Sequence, residues 1–290
     1  MAKLTRKEKI ALQMQEGRPT SSSMKKLEKG HFNLKRSLAL LVALAGFLLY
    51  ANTLGHDYVL DDFGLIKDNT ITKKGVSAIP EIFKTSYRFG MNITDYQLYR
   101  PLSKAMFAVE WNIAPDSPAL GHFINVLLFA FLCYMIFMVL TKYLKGDLLI
   151  PFITSLLFAA HPLHTEVVAN IKSRDEIVCF LLLMGTLWHL HSYVTNGSMK
   201  AYVAGISCFF IAMFSKESAI TFIAVVPLLY YFFTNADNSK YTKTVIGMLA
   251  GAGIFLLIRS SVLGNVKTLI PVEDNSLAVG NPATIIRTLK

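Results

Sequence analysis

Long apolar stretches alternate with short charged segments along most of the chain. An α-helix needs about 20 residues to cross the hydrocarbon core of a bilayer, and roughly 17 to 25 are tolerated. Five charge-free stretches reach that length, and two shorter ones are flanked by Lys or Arg side chains that can extend to the interface. The pattern therefore predicts about seven membrane spans, at residues 37–56, 117–141, 148–165, 177–199, 201–215, 218–236 and 244–258.

The composition agrees with this pattern and excludes an ordinary soluble domain. Of the 290 residues, 53% are hydrophobic and 17% are charged, and the mean hydropathy is +0.44. Cys133, Cys179 and Cys208 lie in apolar stretches without a CxxC or Cys/His cluster, so neither a disulfide framework nor a zinc site is indicated. We predict an all-α integral membrane protein, a polytopic helical bundle with a partly helical first outer loop.

Basic residues are concentrated before the first apolar stretch. The net charge is +10, and residues 1–36 hold ten Lys and Arg against three Asp and Glu. Because positive residues next to a span stay in the cytoplasm, this segment is predicted to be a cytoplasmic tail. It lacks a nucleic-acid-recognition pattern, so its predicted partner is the lipid bilayer. The outer side then holds 55–116, 160–176, the junction at Lys216 and Glu217, and 259–290, and the inner side holds 142–147, 192–200 and 237–243.

An acidic pair, Asp61 and Asp62, stands where the first outer loop leaves the membrane, in the segment HDYVLDDFGLIKDN. Adjacent carboxylates on an extended segment point to opposite faces. One can serve as a general base while the other binds a metal, an Arg or the backbone. A solvated turn or a helix N-cap is the commoner origin of an isolated pair. The rest of this long loop is predicted to contain short helices around Ile79–Tyr87 and Pro101–Trp111.

The segment HPLHTEVVANIKSRDE, residues 161–176, supplies a second polar group on the outer side. A helix starting at Pro162 would carry Glu166, Asn170 and Arg174 on one stripe, at spacings of four residues. Ionisable groups between two apolar spans are costly and usually face a cavity. His161 and His164 can ligate a metal or bind a phosphate, and the alternative, slightly favoured, is two histidines at the membrane interface.

Lys216 and Glu217 interrupt a long apolar stretch in the segment FSKESAITF. They fit a tight outer hairpin with two charges that reach the interface, and they fit a functional site equally well. Arg100, in the segment QLYRPLS, adds a further cation before the second span. One outer vestibule would then contain carboxylates and cations from several segments: Asp61, Asp62, Glu166, Glu217, Arg100, Arg174 and Lys216.

This combination suits the transfer of a group from a lipid phosphate to an alcohol. Cations at the membrane surface stabilise the charge on a departing phosphate, and a carboxylate can accept the proton of an attacking hydroxyl. A glycine-rich phosphate loop and a nucleotide fingerprint are both absent from the sequence, so a nucleotide-sugar donor is not indicated. No cofactor is required by the pattern, although a divalent metal is compatible with the acidic pair.

The ordered series YVLDDFGLIKDN, YRPLS, HPLHTEVVANIKSRDE and SKESAITF resembles the transmembrane and tetratricopeptide-repeat O-mannosyltransferases and their bacterial relatives, of the GT-C class. The resemblance implies a GT-C-like bundle, a polyprenyl-phosphate sugar donor, inversion at the sugar, and an acceptor hydroxyl on a protein or glycan. The resemblance implies mannose as the sugar. The acidic pair of the family maps onto Asp61 as base and Asp62 as its support. Phosphate-side roles for Arg100, Arg174 and Lys216 rest on charge and position.

These inferences give a domain plan with a basic tail at 1–36, a membrane domain at 37–262 with the catalytic loop 55–116, and the start of a further outer loop at 263–290. Family members have more spans and often a repeat domain, so we expect the chain to be truncated or a reduced homologue. The expected location is a bacterial inner membrane with a periplasmic site, the alternative being the endoplasmic reticulum membrane. A lipid-linked saccharide transporter or flippase and a non-catalytic assembly protein are the alternative functions.

Overall fold

The computed structural model of the protein describes residues 21–91, 98–145 and 147–264. Most of the basic tail and nearly all of 263–290 therefore lie outside the described residues. The described chain is predominantly helical and contains no strand, which confirms the predicted all-α class. Its helices are α1 (Ser21–Tyr50), α2 (Ile79–Ile82), α3 (Pro101–Ile113), α4 (Pro118–Tyr143), α5 (Leu149–Ala160), α6 (His164–Val168), α7 (Arg174–Asn196), α8 (Met199–Ser215), α9 (Phe222–Phe233) and α10 (Asn238–Leu263).

In the described part of the chain, seven apolar segments lie at the seven predicted spans. Four are long enough to cross a membrane: Phe32–Gly55, Pro118–Tyr143, Ile171–Asn196 and Asn238–Leu263. Three are shorter: Leu149–Ala160, Met199–Ser215 and Glu217–Phe233. Leucine side chains on α1 and α10 point away from the bundle, as lipid-facing residues do. The chain is a multi-pass membrane protein.

The centre of the bundle is formed by α7, which packs along α8 and α4, while α4 also packs against α1. The close approach of α7 and α8 depends on Gly205. A Cβ atom at this position would lie 2.7 Å from Cγ of Leu190 and 3.3 Å from its backbone nitrogen. Small residues allow such contacts between membrane helices.

The helix predicted to start at Pro162 and to carry Glu166, Asn170 and Arg174 is not continuous, and this part of the prediction is wrong. α5 ends at Ala160, because His161 precedes a proline and adopts an extended conformation. The short helix α6 ends at Val168, and the chain then passes through an extended Asn170 before α7 begins. The expected polar stripe is therefore divided between two helices with different surroundings.

The first outer loop is ordered over its described residues. α2 lies within the first predicted helical region and is shorter than predicted, and α3 covers the second and extends two residues beyond it, to Ile113. Apolar side chains from this loop form their own small cluster, in which Tyr58, Tyr87 and Phe107 pack with Ile171 from the 161–176 segment. The cluster holds the loop against the outer ends of the spans.

Replacement of Gly205 by alanine tests the packing of α7 on α8. The added methyl must displace Leu190, and we expect a loss of about 1–3 kcal/mol in the free energy of unfolding, since overpacking costs about that much. Thermal unfolding in detergent measures the change. Gly253→Ala is the matched control, because a Cβ there meets no atom within 4 Å. Equal behaviour of the two variants would contradict the packing described.

Candidate active site

Asp62 is fully buried, and its carboxylate joins two distant segments. One oxygen accepts a hydrogen bond from the backbone N–H of Val59 at 3.1 Å, and the other accepts from the N–H of Lys172 at 2.7 Å. Burial raises the pKa of the Asp62 carboxyl, and these N–H groups oppose the rise. Asp62 therefore ties the first outer loop to the 161–176 segment.

Asp61 points the other way. Its side chain is 51% exposed, and one carboxylate oxygen lies 3.5 Å from Nζ of Lys172. The two aspartates begin a helical turn, not the extended segment expected from the sequence, yet they do divide into an outward and an inward carboxylate. The preceding Leu60 has a left-handed φ of 47°, a costly conformation for this residue type.

The start of α7 connects the outer segments to one another. Lys172 and the three consecutive residues from 174 to 176 each pair with a different part of the chain. These pairs link the acidic loop, the segment before α3, α3 itself and the turn after α8. The four ion pairs are Lys172 with Asp61, Arg174 with Glu110, Asp175 with Arg100, and Glu176 with Lys216.

Arg174 lies in the protein interior with a relative exposure of 0%. Its Nε donates to the side-chain oxygen of Asn125 at 2.7 Å, Nη2 donates to the carbonyl of Gly121 at 2.9 Å, and Nη1 pairs with Glu110. The guanidinium carbon also lies 5.0 Å from the ring centroid of Phe107. All three of its nitrogens are engaged inside the protein, so Arg174 organises the site without facing outward.

Arg100 and Lys216 lie nearer the surface than Arg174. Arg100 donates from Nη1 to Asp175 at 2.6 Å, and its side chain is 13% exposed. Lys216 is half-buried and pairs with Glu176. Burial lowers the pKa of Lys216, nearby Asp175 raises it, and the positive charges of Arg100 and Lys172 lower it. The positive charges of Arg100, Lys172 and Lys216 therefore act on one another, and Lys172 also pairs with the exposed Asp61.

Glu217 fixes the last described helix to the outer loop. Its carboxylate accepts from Nε of Arg259 on α10 at 2.7 Å and from the backbone N–H of Tyr99 at 3.3 Å. Arg259 thereby connects to the segment that carries Arg100. The structure thus brings Asp61, Asp62, Arg100, Arg174, Lys216 and Glu217 into one assembly.

The predicted histidines lie to one side of this assembly. His161 is exposed, and its Nδ1 accepts from the N–H of Leu163 at 3.3 Å. The ring of His164 lies 4.2 Å from that of Phe158, and burial lowers the pKa of His164. Glu166 is exposed, and no hydrogen bond or ion pair joins it to another described residue. The described residues contain no group of three His, Cys, Asp or Glu side chains suited to a metal ion.

An apolar cavity of about 220 Å³ lies between α4, α5, α6 and α7. Phenylalanine and aliphatic side chains form most of its wall, and His164 and Glu176 provide the polar lining. Because Glu176 is also the partner of Lys216, the cavity borders the cationic side of the assembly. It is lined by Phe129, Leu132, Phe158, His164, Val167, Glu176, Ile177 and Phe180.

Four residues of the site were not predicted from the sequence: Lys172, Glu110, Asp175 and Glu176. Lys172, Asp175 and Glu176 lie at the end of the segment HPLHTEVVANIKSRDE, where the high density of charged residues was the available signal. Glu110 gave no such signal, because only the packing of α3 against α7 brings it to the guanidinium of Arg174.

We expect Arg174→Met to destabilise the protein by about 3–5 kcal/mol, because it leaves the carboxylate of Glu110 and the amide of Asn125 without their buried partner. Thermal unfolding in detergent measures the loss. The double variant Arg174→Met/Glu110→Leu removes both charges and should recover part of it. Lys74→Met is the control, since Lys74 pairs with Glu81 at the surface and surface pairs contribute about 0–1 kcal/mol. A single variant as stable as this control would contradict the role of Arg174.

Comparison with known proteins identifies relatives of this chain. Mouse protein O-mannosyl-transferase TMTC1 is 30% identical over 221 residues, which cover 72% of this chain and 23% of the relative. Human protein O-mannosyl-transferase TMTC2 is 30% identical over 250 residues, covering 78% of this chain and 29% of the relative. The Caenorhabditis elegans protein O-mannosyl-transferase F38B6.6 is 28% identical over 230 residues, covering 77% and 32%.

The chain thus spans between 23% and 32% of the length of these relatives. No family model and no solved structure matches it. The aligned part covers most of the membrane domain predicted from the sequence, and the relatives share the name implied by the resemblance of its motifs. The chain belongs to the family of the TMTC protein O-mannosyl-transferases.

Proposed function

We propose that the protein is a membrane glycosyltransferase that moves a sugar, mannose by the names of its relatives, from a polyprenyl-phosphate donor to a hydroxyl group of an acceptor protein. The observation that carries this proposal is the exposed carboxylate of Asp61, 3.5 Å from Nζ of Lys172, a cation whose charge acts together with that of Arg100 on Lys216. A base and a group of cations at one membrane surface are the two components that this transfer requires.

Asp61 is the proposed general base. Its carboxylate is exposed to an incoming hydroxyl, whereas both oxygens of Asp62 accept hydrogen bonds from backbone N–H groups. Asp62 has the supporting role, since its bonds to Val59 and Lys172 fix the turn that presents Asp61. General-base catalysis of this kind contributes about 10²- to 10⁴-fold to a rate.

The cations Arg100, Lys172 and Lys216 are the proposed partners of the donor phosphate. As the acceptor oxygen attacks the anomeric carbon, its proton passes to Asp61. The bond from that carbon to the phosphate oxygen breaks, and the phosphate keeps the electron pair. Nearby cations stabilise the resulting charge. Arg174 has no direct contact with the donor in this scheme and positions Glu110 and the start of α7.

A single displacement of this kind inverts the configuration of the sugar. The second carboxylate, Asp62, is buried and engaged by backbone N–H groups, which favours a direct attack by the acceptor over a covalent intermediate on the protein. The apolar cavity next to Glu176 suits the first isoprene units of the donor, because hydrocarbon chains fit aromatic walls at the membrane interface.

The proposed site lies on the side opposite the basic tail. We propose the periplasmic face of a bacterial inner membrane, with the lumen of the endoplasmic reticulum as the alternative. In either location the acceptor is a Ser or Thr hydroxyl of a translocated protein, in line with the protein O-mannosyl-transferase names of the relatives.

Asp61→Asn tests the proposed base. We expect transfer of radiolabel from polyprenyl-phosphate mannose to protein to fall by about 10²- to 10⁴-fold, because the amide cannot accept the proton. The assay uses membranes that contain the full-length protein at matched expression. Asp116→Asn is the control, since Asp116 is an exposed aspartate of the same loop, 3.9 Å from Lys67, and it should retain transfer.

Three outcomes would overturn the proposal. Transfer that is unaffected by Asp61→Asn would rule out the assigned base. A wild type that transfers no sugar yet moves labelled polyprenyl-phosphate mannose across vesicles would identify a transporter, and the absence of both activities would favour an assembly protein.

Lys216→Arg tests the cationic side by its pH dependence. Because burial lowers the pKa of Lys216, the lysine loses its charge at a lower pH than an ordinary lysine, and donor binding should weaken as the pH rises through that pKa. Arginine stays protonated throughout. We expect the alkaline rise in KM for the donor to shift to higher pH in the variant. An unchanged alkaline limb would remove Lys216 from the phosphate site.

A further inference from the structure

Tyr87 is a buried tyrosine whose hydroxyl group is unused. The side chain is 1% exposed, and the ring packs in the small cluster with Phe107 and Ile171. Among the described residues the hydroxyl has no hydrogen-bond partner. A buried polar group in this state costs about 1–3 kcal/mol, so native proteins keep few of them.

The backbone of Tyr87 is held on both sides. Its N–H donates to the carbonyl of Leu98 at 2.8 Å, and its own carbonyl accepts from Nζ of Lys104 at 3.0 Å. Lys104 is itself buried, burial lowers its pKa to about 8, and it also bonds to the carbonyl of Phe89. These contacts fix the position of the Tyr87 ring and of its hydroxyl.

The hydroxyl lies among the charged groups of the site. The guanidinium carbon of Arg100 is 5.8 Å from the ring centroid of Tyr87. Burial raises the pKa of Tyr87 well above its usual value, and the charges of Asp175, Arg100, Asp61 and Asp62 also act on this hydroxyl. It is therefore a protonated donor in the neighbourhood of the Arg100–Asp175 pair.

Arg100 has an unused donor of its own. Its Nη1 is bonded to Asp175, but its buried Nε has no partner among the described residues. A neutral and a charged donor near each other match a ligand with several acceptor oxygens, and a phosphate provides these together with negative charge. A sugar hydroxyl has one oxygen and carries no charge to attract the guanidinium.

We propose that the hydroxyl of Tyr87 and Nε of Arg100 together bind the phosphate group of the lipid-linked donor. This inference rests on the proposed function and adds a residue that neither the charge pattern nor the quoted motifs single out. Donation by Tyr87 to a phosphate oxygen adds a hydrogen bond to the bound state, and the free protein carries the cost of an unpaired hydroxyl.

Tyr87→Phe separates binding from stability. We expect KM for polyprenyl-phosphate mannose to rise by about 10-fold, the value of one hydrogen bond to a charged group, with kcat little changed. The thermal midpoint of the free protein should stay the same or rise, because the variant removes an unpaired buried hydroxyl. Both measurements use the full-length protein. A purely structural tyrosine would give the reverse result, a lower midpoint with unchanged KM, and that result would overturn the proposal.

Tyr143→Phe is the matched control. Tyr143 is also a buried tyrosine, but its hydroxyl donates to the carbonyl of Leu187 at 3.2 Å. It is near the inner end of α4. Its replacement should lower the thermal midpoint and leave the KM for the donor unchanged. A rise in KM equal to that of Tyr87→Phe would show a general effect of losing a buried hydroxyl and would contradict the specific role.

Direct binding distinguishes a failure of this inference from a failure of the proposed function. Radiolabelled polyprenyl phosphate, which lacks the sugar, should bind the wild type more tightly than Tyr87→Phe even if no transfer is detected. Equal binding by both proteins would overturn the role of Tyr87. Inorganic phosphate is then added as a competitor of the bound lipid. If it displaces the lipid at equal concentration, the site binds free phosphate and the assignment to a lipid headgroup is wrong.

Discussion

The buried guanidinium of Arg174 is the constraint on which the outer half of this molecule depends. A charge without access to water must have its hydrogen bonds completed by the protein, and Arg174 finds its partners on α3 and α4. Helices that come from different parts of the chain are thereby fixed to the start of α7. Once that point is fixed, the neighbouring Lys172, Asp175 and Glu176 each face a different segment.

The site is consequently formed by segments that are far apart along the chain. The proposed base lies in a loop after the first span. The proposed phosphate partners come from the segments before α3, after α8 and just before α7, and the apolar cavity lies between α4 and α7. Asp62 adds a second connection, since one carboxylate binds backbone N–H groups from two segments. Such a site needs each of its segments in place. This requirement explains why many of its charged side chains form ion pairs and hydrogen bonds between segments.

The sequence predicted the spans well, because the bilayer imposes a length and an apolar character that can be counted. It also placed the polar motifs on one side, and Asp61 and Asp62 divide into an outward and an inward carboxylate. It failed for the segment 161–176, where regular spacing suggested one helix. His161 before Pro162 ended α5, and the burial of Arg174 was settled by tertiary contacts with Glu110 and Asn125 that no local pattern contains.

The shortness of α5 has a consequence for the lipid around the protein. A helix of 12 residues extends only about 18 Å, well below the roughly 30 Å of a hydrocarbon core. The bilayer beside α5 must thin, or headgroups and water must descend toward its end, to avoid exposing backbone to lipid tails. Either change would place His161, Glu166 and the start of α7 in a local depression of the membrane surface. A phosphate headgroup in that depression would approach the protein from the side, at the depth of its ion pairs, without leaving its own leaflet.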